Sequence, residues 1–405
     1  MFSRIRPFNT QRVLISALAG VSTCTLAAAV SSSADSNKTM VMSWGSSEFG
    51  QLGLGDDISS DRPVVIPGLV NVECSQVVAG GDSTMVISKD GHLYTFGKGR
   101  DGCLGHSSNS NESMPRLVEG ISSVRNGSCS THHMAVTDTN GHLYTWGRDW
   151  NGQLGRKRAS NDLDIGRVEM DEPVVGTSCG RDHTVVWTEA GNAYSFGSGG
   201  DRALGLGGKK DRHVPEKIST LENIKQVSVG SGFSVFLDES GRVYSCGNDG
   251  YGRLGNGGGP RFVDTPKPLN SLKDVNIIQI SAGEFHAAAV SDKGVLYTWG
   301  YGKDGQTGHG DISDVSVPRA VSSLAQTHIV SVECGGSHTA ALCKEGDLYV
   351  WGKGRQGQLG RGGEMESVAA YKTVPLKVSE FKKSGLVIDS LSLGANHSVA
   401  VAHAQ

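Results

Sequence analysis

The sequence predicts an all-β fold, a seven-bladed β-propeller, and three features of the chain carry that prediction. A ten-residue motif recurs at a fixed period, a second motif keeps constant phase with it, and the two ends of the chain are complementary parts of one repeat. Seven units of about 50 residues fill nearly all of the 405-residue chain after residue 39. The repeat therefore overrides the two or three domains that chain length alone favours.

The first motif reads Trp-Gly, four variable residues, then Gly-Gln-Leu-Gly, and it is clearest at 351–360. The first glycines of its seven copies lie at 45, 97, 147, 197, 247, 300 and 352, so the period is 50 to 53 residues. A period of this size is typical of solenoids, propellers and arrays. The fourth copy departs from the pattern, because Arg202 stands where the inner glycine is expected.

The second motif is Gly-x-x-His followed by Thr or Ser. Its histidine position precedes the first glycine of the first motif by fourteen residues, except in the last copy, which has no such glycine after it. The seven positions are Ser83, His133, His183, Phe233, His286, His338 and His397. Eight residues after each of the first six positions comes a glycine: Gly91, Gly141, Gly191, Gly241, Gly294 and Gly346. Most of these glycines predict hairpin turns between alternating strands.

Each repeat reads as four short strands. In the repeat around Trp299-Gly300, strands are expected at 275–281, 286–291, 295–299 and near 315–321. Four strands in a unit, no helical periodicity and a glycine at each turn favour a propeller blade. The chain begins at 40–44 with a lone third strand and ends at 388–401 with inner strands, so the N- and C-terminal strands are predicted to share one blade.

In this phase and number, the two motifs resemble the regulator of chromosome condensation repeat family over about residues 40–405. The resemblance implies a binding platform. The founding member of that family is an exchange factor for the nuclear GTPase Ran, and relatives serve in mitochondria, in ubiquitin ligases and as a plant ultraviolet-B receptor. Fold alone does not choose among these roles.

Two of those roles fit the sequence poorly. A nuclear member would carry a basic tail, whereas this N-terminus has three arginines and an apolar run. The photoreceptor uses Trp two residues before several motif histidines, where this chain has Arg181, Glu284, Gly336 and Ala395. The resemblance therefore implies a mitochondrial member of the family.

Residues 1–39 are predicted to be a targeting presequence and linker, ahead of a propeller at 40–405. The first 34 residues hold three arginines, no acidic residue and an uncharged run from Val13 to Val30. Such a segment is typical of a mitochondrial transit peptide. Two alternatives stay open, since the run is also long enough for a membrane anchor and resembles the core of a secretory signal. Membrane contact is expected only if Val13–Val30 is retained.

Composition and motif content argue against several classes of function. A net charge of −3 excludes a chain-wide attraction for nucleic acid. The cysteines form no Cys-x-x-Cys pair or zinc spacing, and Cys129, Cys179 and Cys334 share a slot that is small and apolar elsewhere. No Ser/His/Asp arrangement, phosphate loop or carboxylate pair appears at a recognisable spacing. We therefore expect no enzyme activity, no cofactor and no metal.

The motif histidines are predicted to be structural: His133, His183, His286, His338 and His397. They recur at equivalent places on different blades, and two equivalent positions tolerate Ser83 and Phe233. A repeated histidine beside a β-turn is expected to bond a neighbouring backbone carbonyl rather than to act as a ligand or an acid–base group.

Departures from the repeat mark candidate binding residues. Trp150 follows a Trp-Gly pair at a place where the other copies have Glu, Arg, Gly or Lys, and an exposed Trp beside Arg148 is a common interface anchor. The alternative, that Trp150 folds down on a neighbouring loop, stays open. The candidates share these segments: Trp150, Arg148, Asp149, Lys98, Arg100, Lys303, Lys353 and Arg355. Their interleaving with acidic residues suits a protein partner better than nucleic acid.

Two connections also break the pattern. Residues 156–172 have Ile165 where most copies have proline, and 361–385 lie in the longest connection. Extra length in such a connection either carries partner contacts or is a tolerated insertion.

The functional hypothesis is a non-catalytic protein-interaction propeller in mitochondria, acting as a guanine-nucleotide exchange factor or regulator for a small GTPase. The GTPase comes from the resemblance alone. The alternative is a scaffold or assembly factor for the organellar ribosome, RNA processing or a respiratory complex. A nuclear Ran-type exchange factor, a photoreceptor and an enzyme built on the propeller are disfavoured.

Overall fold

The computed structural model describes residues 38–157, 163–363 and 371–405. Within these ranges, 28 strands form seven four-stranded antiparallel sheets, and the first strands of neighbouring sheets contact one another around a central axis. This arrangement confirms the seven-bladed β-propeller. Residues 1–37 of the predicted presequence, and residues 158–162 and 364–370 of the two irregular connections, lie outside the described residues.

The chain enters through β1 (Thr39–Gly45) and β2 (Ser60–Val65). Blade 1 is β3 (Cys74–Ala79), β4 (Ser83–Ser88), β5 (Leu93–Gly97) and β6 (Glu112–Leu117); blade 2 is β7 (Val124–Cys129), β8 (His133–Asp138), β9 (Leu143–Gly147) and β10 (Gly166–Val168). Blade 3 is β11 (Val174–Cys179), β12 (His183–Thr188), β13 (Ala193–Gly197) and β14 (Arg212–Lys217); blade 4 is β15 (Ile224–Val229), β16 (Phe233–Asp238), β17 (Val243–Asn248) and β18 (Phe262–Pro268).

Blade 5 is β19 (Ile277–Ala282), β20 (His286–Ser291), β21 (Leu296–Gly300) and β22 (Val315–Ala320). Blade 6 is β23 (Ile329–Cys334), β24 (His338–Cys343), β25 (Leu348–Lys353) and β26 (Tyr371–Val378). The chain ends with the one-turn helix α1 (Glu380–Lys383), β27 (Leu386–Leu393) and β28 (His397–Ala404). Short 3-10 turns lie at Pro67–Leu69, Arg100–Gly102, Gly250–Gly252, Asn270–Leu272 and Ser322–Leu324.

Both ends of the chain build the closing blade, whose strand order is β2, β1, β28, β27. The pairing of β1 with β28 is antiparallel and runs from Thr39 opposite His403 to Gly45 opposite His397. Because β2 pairs with the other side of β1, the backbone of the first strand is hydrogen-bonded on both sides. The predicted sharing of one blade by the two ends is therefore confirmed.

In four of the seven blades, the tryptophan of the first motif joins the blade to the preceding blade of the ring. Its indole Nε1 donates a buried hydrogen bond of 2.8 to 3.0 Å to a backbone carbonyl across the joint: Trp44 to Gln358, Trp146 to Cys103, Trp299 to Arg253 and Trp351 to Gln306. Phe96, Phe196 and Cys246 fill the same buried slot in the other blades. The motif therefore forms a turn and also joins neighbouring blades.

The last glycine of the motif leaves room for that indole. Gly360 has a φ of +68°, and a Cβ added there would lie 2.6 Å from Nε1 of Trp44. Any side chain is opposed both by the left-handed backbone and by the buried ring. Arg202 shows that the inner-glycine slot is less strict, because it adopts a φ of +63° and pairs with Asp264 at 3.1 Å.

We expect Gly360→Ala to lower the free energy of unfolding by about 2 to 4 kcal/mol, since the methyl group collides with Trp44 in a backbone conformation unfavourable for alanine. Gly363→Ala is the matched control, because Gly363 has a φ of +72° and nothing lies within 4 Å of an added Cβ. That variant should lose only about 1 kcal/mol, from the backbone alone. Denaturant unfolding of both proteins checks the difference, and equal losses would contradict the collision.

The described parts of the irregular connections pack against the propeller. Phe381 of α1 meets the ring of Trp44 edge-on, with centroids 5.8 Å apart, and Glu380 pairs with Arg62 at 2.7 Å. In blade 2, where Ile165 replaces proline, the outer strand β10 has only three residues and pairs with β9. None of the helices in the described ranges is long and apolar enough to cross a membrane.

Candidate protein-interaction face

One face of the disc is formed by two sets of loops from every blade. The first set joins first to second strands: 80–82, 130–132, 180–182, 230–232, 283–285, 335–337 and 394–396. The second set follows the Trp-Gly position: 46–49, 98–101, 148–151, 198–201, 248–251, 301–304 and 353–356. Successive strands are antiparallel, so both sets emerge at the same end of each sheet. We call this surface the loop face.

A cavity of about 400 Å³ opens at the centre of the loop face. Loops of all seven blades line it, mainly with small residues, and its longer polar side chains are His132, Arg181 and Glu284. Burial raises the pKa of Glu284, and the positive charges of Arg181, Lys353 and Arg253 oppose that rise. The centre of the face is therefore mixed in charge.

The three cysteines predicted to be structural also border this cavity. Burial raises the pKa of the Cys129 and Cys179 thiols to about 12 and raises that of Cys334 as well, so the thiols stay protonated and weakly nucleophilic. Across the described ranges, no group of three or more His, Cys, Asp or Glu side chains is arranged to hold a metal ion.

Trp150 stands on the loop face with 70% of its surface exposed. The guanidinium of Arg148 lies 4.1 Å from the centroid of its ring, and Nη2 of Arg148 donates to Asp101 of blade 1 at 2.8 Å. Asp101 also meets Nδ1 of His132 at 3.2 Å. An ion pair across two blades thus holds the cation that supports the exposed ring.

The other candidate residues divide into two groups. Arg100, Lys303 and Arg355 are exposed. By contrast, Lys98 pairs with Asp82 at 2.9 Å, Asp149 accepts the amide hydrogen of Leu154 at 3.0 Å, and Lys353 reaches Asn396 at 3.4 Å. The structure brings Trp150 and Arg148 into contact, whereas Lys98 lies over the ring of Phe49 in the closing blade, and Lys303, Lys353 and Arg355 lie on blades 5 and 6.

The five motif histidines are buried, and each bonds a hydroxyl of the next blade through Nε2. The pairs are His133 with Thr184 at 2.7 Å, His183 with Ser234 at 3.0 Å, His286 with Thr339 at 2.8 Å, His338 with Ser398 at 3.2 Å and His397 with Thr84 at 2.9 Å. The predicted backbone-carbonyl partner is therefore wrong. Each hydroxyl belongs to the residue directly after an equivalent motif position, so the Thr or Ser of the motif serves the neighbouring blade.

The same hydroxyls fix the tautomer of the histidines. Each donates its only hydrogen to a backbone carbonyl, as Thr339 does to Gln306 at 2.8 Å, so Nε2 of His286 must carry the hydrogen of the shared bond. Burial lowers the pKa of His133, His286 and His338 to about 3 and of His183 and His397 to about 4. These imidazoles are neutral at physiological pH.

Sequence analysis missed an aromatic triad on the loop face. Tyr251 of blade 4 meets Tyr301 and Phe285 of blade 5 edge-on, with ring centroids 4.9 and 6.3 Å apart. The third pair, Phe285 and Tyr301, is separated by 6.4 Å. Tyr251 lies among the four variable residues of the first motif and belongs to neither conserved pattern. Aligning its slot across the repeats would have given a signal, since the other copies have Phe49, Asp101, Asn151, Asp201, Asp304 and Gln356 there.

Models of known families match the propeller in several segments. A model of the RCC1-like domain matches residues 108–324. Models of the regulator of chromosome condensation (RCC1) repeat match residues 40–87, 345–401 and 329–358.

Curated relatives share parts of the repeat region. The human E3 ubiquitin-protein ligase HERC2 is 43% identical over 105 residues, which are 25% of this chain and 2% of the ligase. The RCC1 domain-containing protein RUG3, mitochondrial, of Arabidopsis thaliana is 33% identical over 136 residues, which are 34% of this chain and 31% of that protein. The chain thus spans less than a third of the length of either relative.

Two solved structures superpose over most of the chain. Human WBSCR16 has a TM-score of 0.80 at 24% identity, covering 90% of this chain and 99% of that one. Prp20p of Saccharomyces cerevisiae, a protein with binding properties to Gsp1p and histones, has a TM-score of 0.80 at 22% identity, covering 92% and 93%. At this level of identity the likeness shows the propeller fold.

Proposed function

Because the chain belongs to the RCC1-like family of repeat propellers, we propose that it is a non-catalytic interaction propeller of mitochondria that binds a small GTPase as an exchange factor or regulator. The observation that carries the proposal is Trp150, an exposed ring held on a cross-blade ion pair of the loop face. Rigid, exposed Trp and Arg side chains are the residues that most often dominate protein–protein binding energy.

Two features support the mitochondrial part of the proposal. The first 34 residues hold arginines, serines and no acidic residue, which is typical of an import signal. A relative named as mitochondrial, RUG3, is 33% identical over a third of the chain. Proximity labelling from a tag at Gln405, with N-terminal sequencing of the mature protein, tests this part. Mitochondrial neighbours and cleavage before about residue 40 are expected, and an intact N-terminus with nuclear or cytosolic neighbours would overturn it.

The GTPase part of the proposal rests on what the family resemblance implies and on the chemistry that exchange needs. An exchange factor binds the nucleotide-free GTPase better than the loaded form and so shifts the equilibrium without covalent steps. The loop face offers exposed cations and anions together with an aromatic anchor, which suits a folded protein surface.

We expect Trp150→Ala to weaken binding of the partner by about 2 kcal/mol, roughly thirtyfold in Kd, because the anchor ring is lost while its support remains. Capture of organellar GTPases from mitochondrial lysate, followed by nucleotide-release rates with the purified GTPase, measures the effect. Val70→Ala is the control, since Val70 is another exposed apolar side chain and lies between β2 and β3, outside the loop face.

Two results would overturn parts of this proposal. If no organellar GTPase is captured and none releases nucleotide faster, the GTPase role is lost. If a ribosomal, RNA-processing or respiratory assembly is captured in its place, and Trp150→Ala reduces that capture, the scaffold function replaces the exchange function. Capture that is unaffected by Trp150→Ala would remove Trp150 from the interface.

A further inference from the structure

Tyr251 occupies a conformation and a place that a bulky side chain rarely takes. Its φ is +66°, in the left-handed region that favours glycine and asparagine, and 53% of its surface is exposed. Asp101, at the equivalent position of blade 1, has a similar φ of +62° but carries a short polar side chain. Strained conformations of this kind persist mainly where the side chain has a function.

The triad is centred on a joint between two blades. Tyr251 extends from blade 4, while Phe285 and Tyr301 extend from the two loops of blade 5. The corresponding joint between blades 1 and 2 holds the ion pair of Asp101 and Arg148. An apolar surface therefore stands here in place of the charges that cover the equivalent joint.

A buried cation lies directly beneath the triad. Arg253 is only 5% exposed, and its guanidinium lies 4.7 Å from the ring of Phe285 and 5.5 Å from that of Tyr251. Four equivalent positions have glutamine: Gln51, Gln153, Gln306 and Gln358. Each of these glutamines accepts the amide hydrogen of the residue two places before it. In blade 4, the positively charged Arg253 thus takes the place of the neutral glutamine that caps this loop in four other blades.

The carboxylates of Asp201, Asp249 and Glu284 act on that charge, and none of them forms an ion pair with it. Within the described residues, Arg253 donates from Nε to Gly250 and from Nη1 to Ser231, both backbone carbonyls at 2.8 Å. Its remaining nitrogen, Nη2, has no hydrogen-bond partner in the same residues and is not among their fully buried unpaired atoms, so it is accessible from outside. The nearby carboxylate of Asp249 is engaged by the amide of Leu254 at 3.1 Å. The guanidinium therefore keeps one donor nitrogen free for a further acceptor.

We propose that the triad and Arg253 form a docking site for a protein segment in which a carboxylate lies beside an aromatic or aliphatic side chain. The carboxylate accepts from Nη2 of Arg253 and completes its pairing, while the apolar side chain packs on the exposed ring of Tyr251. The free donor selects this occupant over a basic segment, because Nη2 needs an acceptor, which a carboxylate supplies and a lysine or arginine side chain does not.

This site rests on the proposed function only in requiring that the protein bind other proteins, and it is tested without any GTPase or organelle. A phage library of random heptapeptides is selected on the immobilised full chain and sequenced. We expect enrichment of peptides with Asp or Glu within two residues of Phe, Tyr, Trp or Leu. The same selection on Arg253→Gln should lose that enrichment.

The most enriched peptide is then synthesised, and its Kd is measured by fluorescence polarisation. We expect Arg253→Gln and Tyr251→Asn each to weaken binding at least tenfold, as should replacement of the peptide carboxylate by an amide. Both variants use residues suited to their slots, glutamine as in the other copies and asparagine for the left-handed backbone. Unchanged or higher melting temperatures verify folding, and Val70→Ala serves as the unaffected control.

Several outcomes would overturn the site. Enrichment of Lys- or Arg-containing peptides would assign it to a cation. If carboxylate-containing peptides bind the Arg253→Gln variant as tightly as the parent protein, their binding site lies elsewhere. A library with no enriched peptide would also rule out the site. Absence of GTPase binding would leave these results unchanged, so failure of the proposed function and failure of this site are distinguishable.

Discussion

Replacement of Trp44 by alanine is expected to lower the free energy of unfolding by about 3 to 5 kcal/mol, the usual loss for removing a buried aromatic side chain. Trp44 is fully buried in the closing blade, meets Phe381 edge-on, and donates its indole hydrogen to Gln358 of blade 6 at 2.9 Å. Alanine leaves a cavity at the joint that closes the ring and removes one of two hydrogen bonds to the carbonyl of Gln358, which also accepts from Ser398 at 2.9 Å. Since a domain is ordinarily stable by about 5 to 15 kcal/mol, the loss is a large share of the total.

Trp44→Phe separates packing from hydrogen bonding. Phe96 and Phe196 occupy the same slot in other blades, so phenylalanine fits there. We expect that variant to lose about 1 kcal/mol, mainly from the lost indole hydrogen bond, since the carbonyl of Gln358 keeps the bond from Ser398. Denaturant unfolding of the three proteins gives the comparison. Equal losses in both variants would mean that the hydrogen bond rather than the ring volume holds the joint.

Acidification from pH 7 to pH 5 is expected to destabilise the propeller strongly. The five motif histidines have pKa values of about 3 to 4 in the folded protein, whereas an unfolded histidine has a pKa of about 6.5. The unfolded state therefore binds protons below about pH 6.5 that the folded state does not, and stability falls as pH falls. At pH 5 each site contributes a loss of about 2 kcal/mol, and five sites about 10 kcal/mol.

Three carboxyls whose pKa burial raises, Glu333, Glu284 and Asp249, act in the opposite direction. Burial raises the pKa of Glu333 to about 8, so the folded state holds a proton there that the unfolded state releases above its ordinary pKa. Its contribution to stability is present at low pH and is lost as pH rises through 8, which offsets part of the histidine effect between pH 7 and pH 5. The net result is still acid destabilisation, because the five histidines outnumber these three carboxyls.

Melting temperatures between pH 7 and pH 5, with calorimetric proton uptake on unfolding, measure this effect. His286→Phe is the informative variant, because Phe233 occupies the equivalent site in blade 4. Removing one histidine should reduce the pH slope of the unfolding free energy by about 1.4 kcal/mol per pH unit. Stability that does not change between pH 7 and pH 5 would contradict the neutral, buried histidines.

The sequence was sufficient for the architecture because the residues that set it recur at fixed offsets. The Trp-Gly pairs and the motif histidines mark the same strand ends in each blade, and the incomplete repeats at 40–44 and 388–401 predicted the shared blade. These features are local along the chain. Each can be recognised without knowing which segment packs against which.

Features that depend on neighbouring blades were not predicted. The hydroxyl that bonds His286 belongs to Thr339, which is distant in sequence although it holds a motif position of its own. The triad joins Tyr251 to Phe285 and Tyr301 from different loops, and only the folded ring brings them together. Trp150 was recognised because its slot is polar or glycine in the other copies.

The two kinds of buried bond between blades are distributed unevenly around the ring. Among the described residues, the joints between blades 5 and 6 and between blade 6 and the closing blade have both an indole and an imidazole bond. The joints between blades 1 and 2 and between blades 4 and 5 have the indole bond alone, since Ser83 and Phe233 replace the motif histidine there. The remaining three joints have the imidazole bond alone.

This distribution makes the disc mechanically uneven. The seam where the two ends of the chain meet belongs to its stiffest arc, so spontaneous opening should begin away from the termini. Trp150 and the aromatic triad stand over the two joints that lack an imidazole bond. A partner that binds the loop face at both places would stabilise the two joints that lack an imidazole bond. Binding would therefore make the whole ring more rigid.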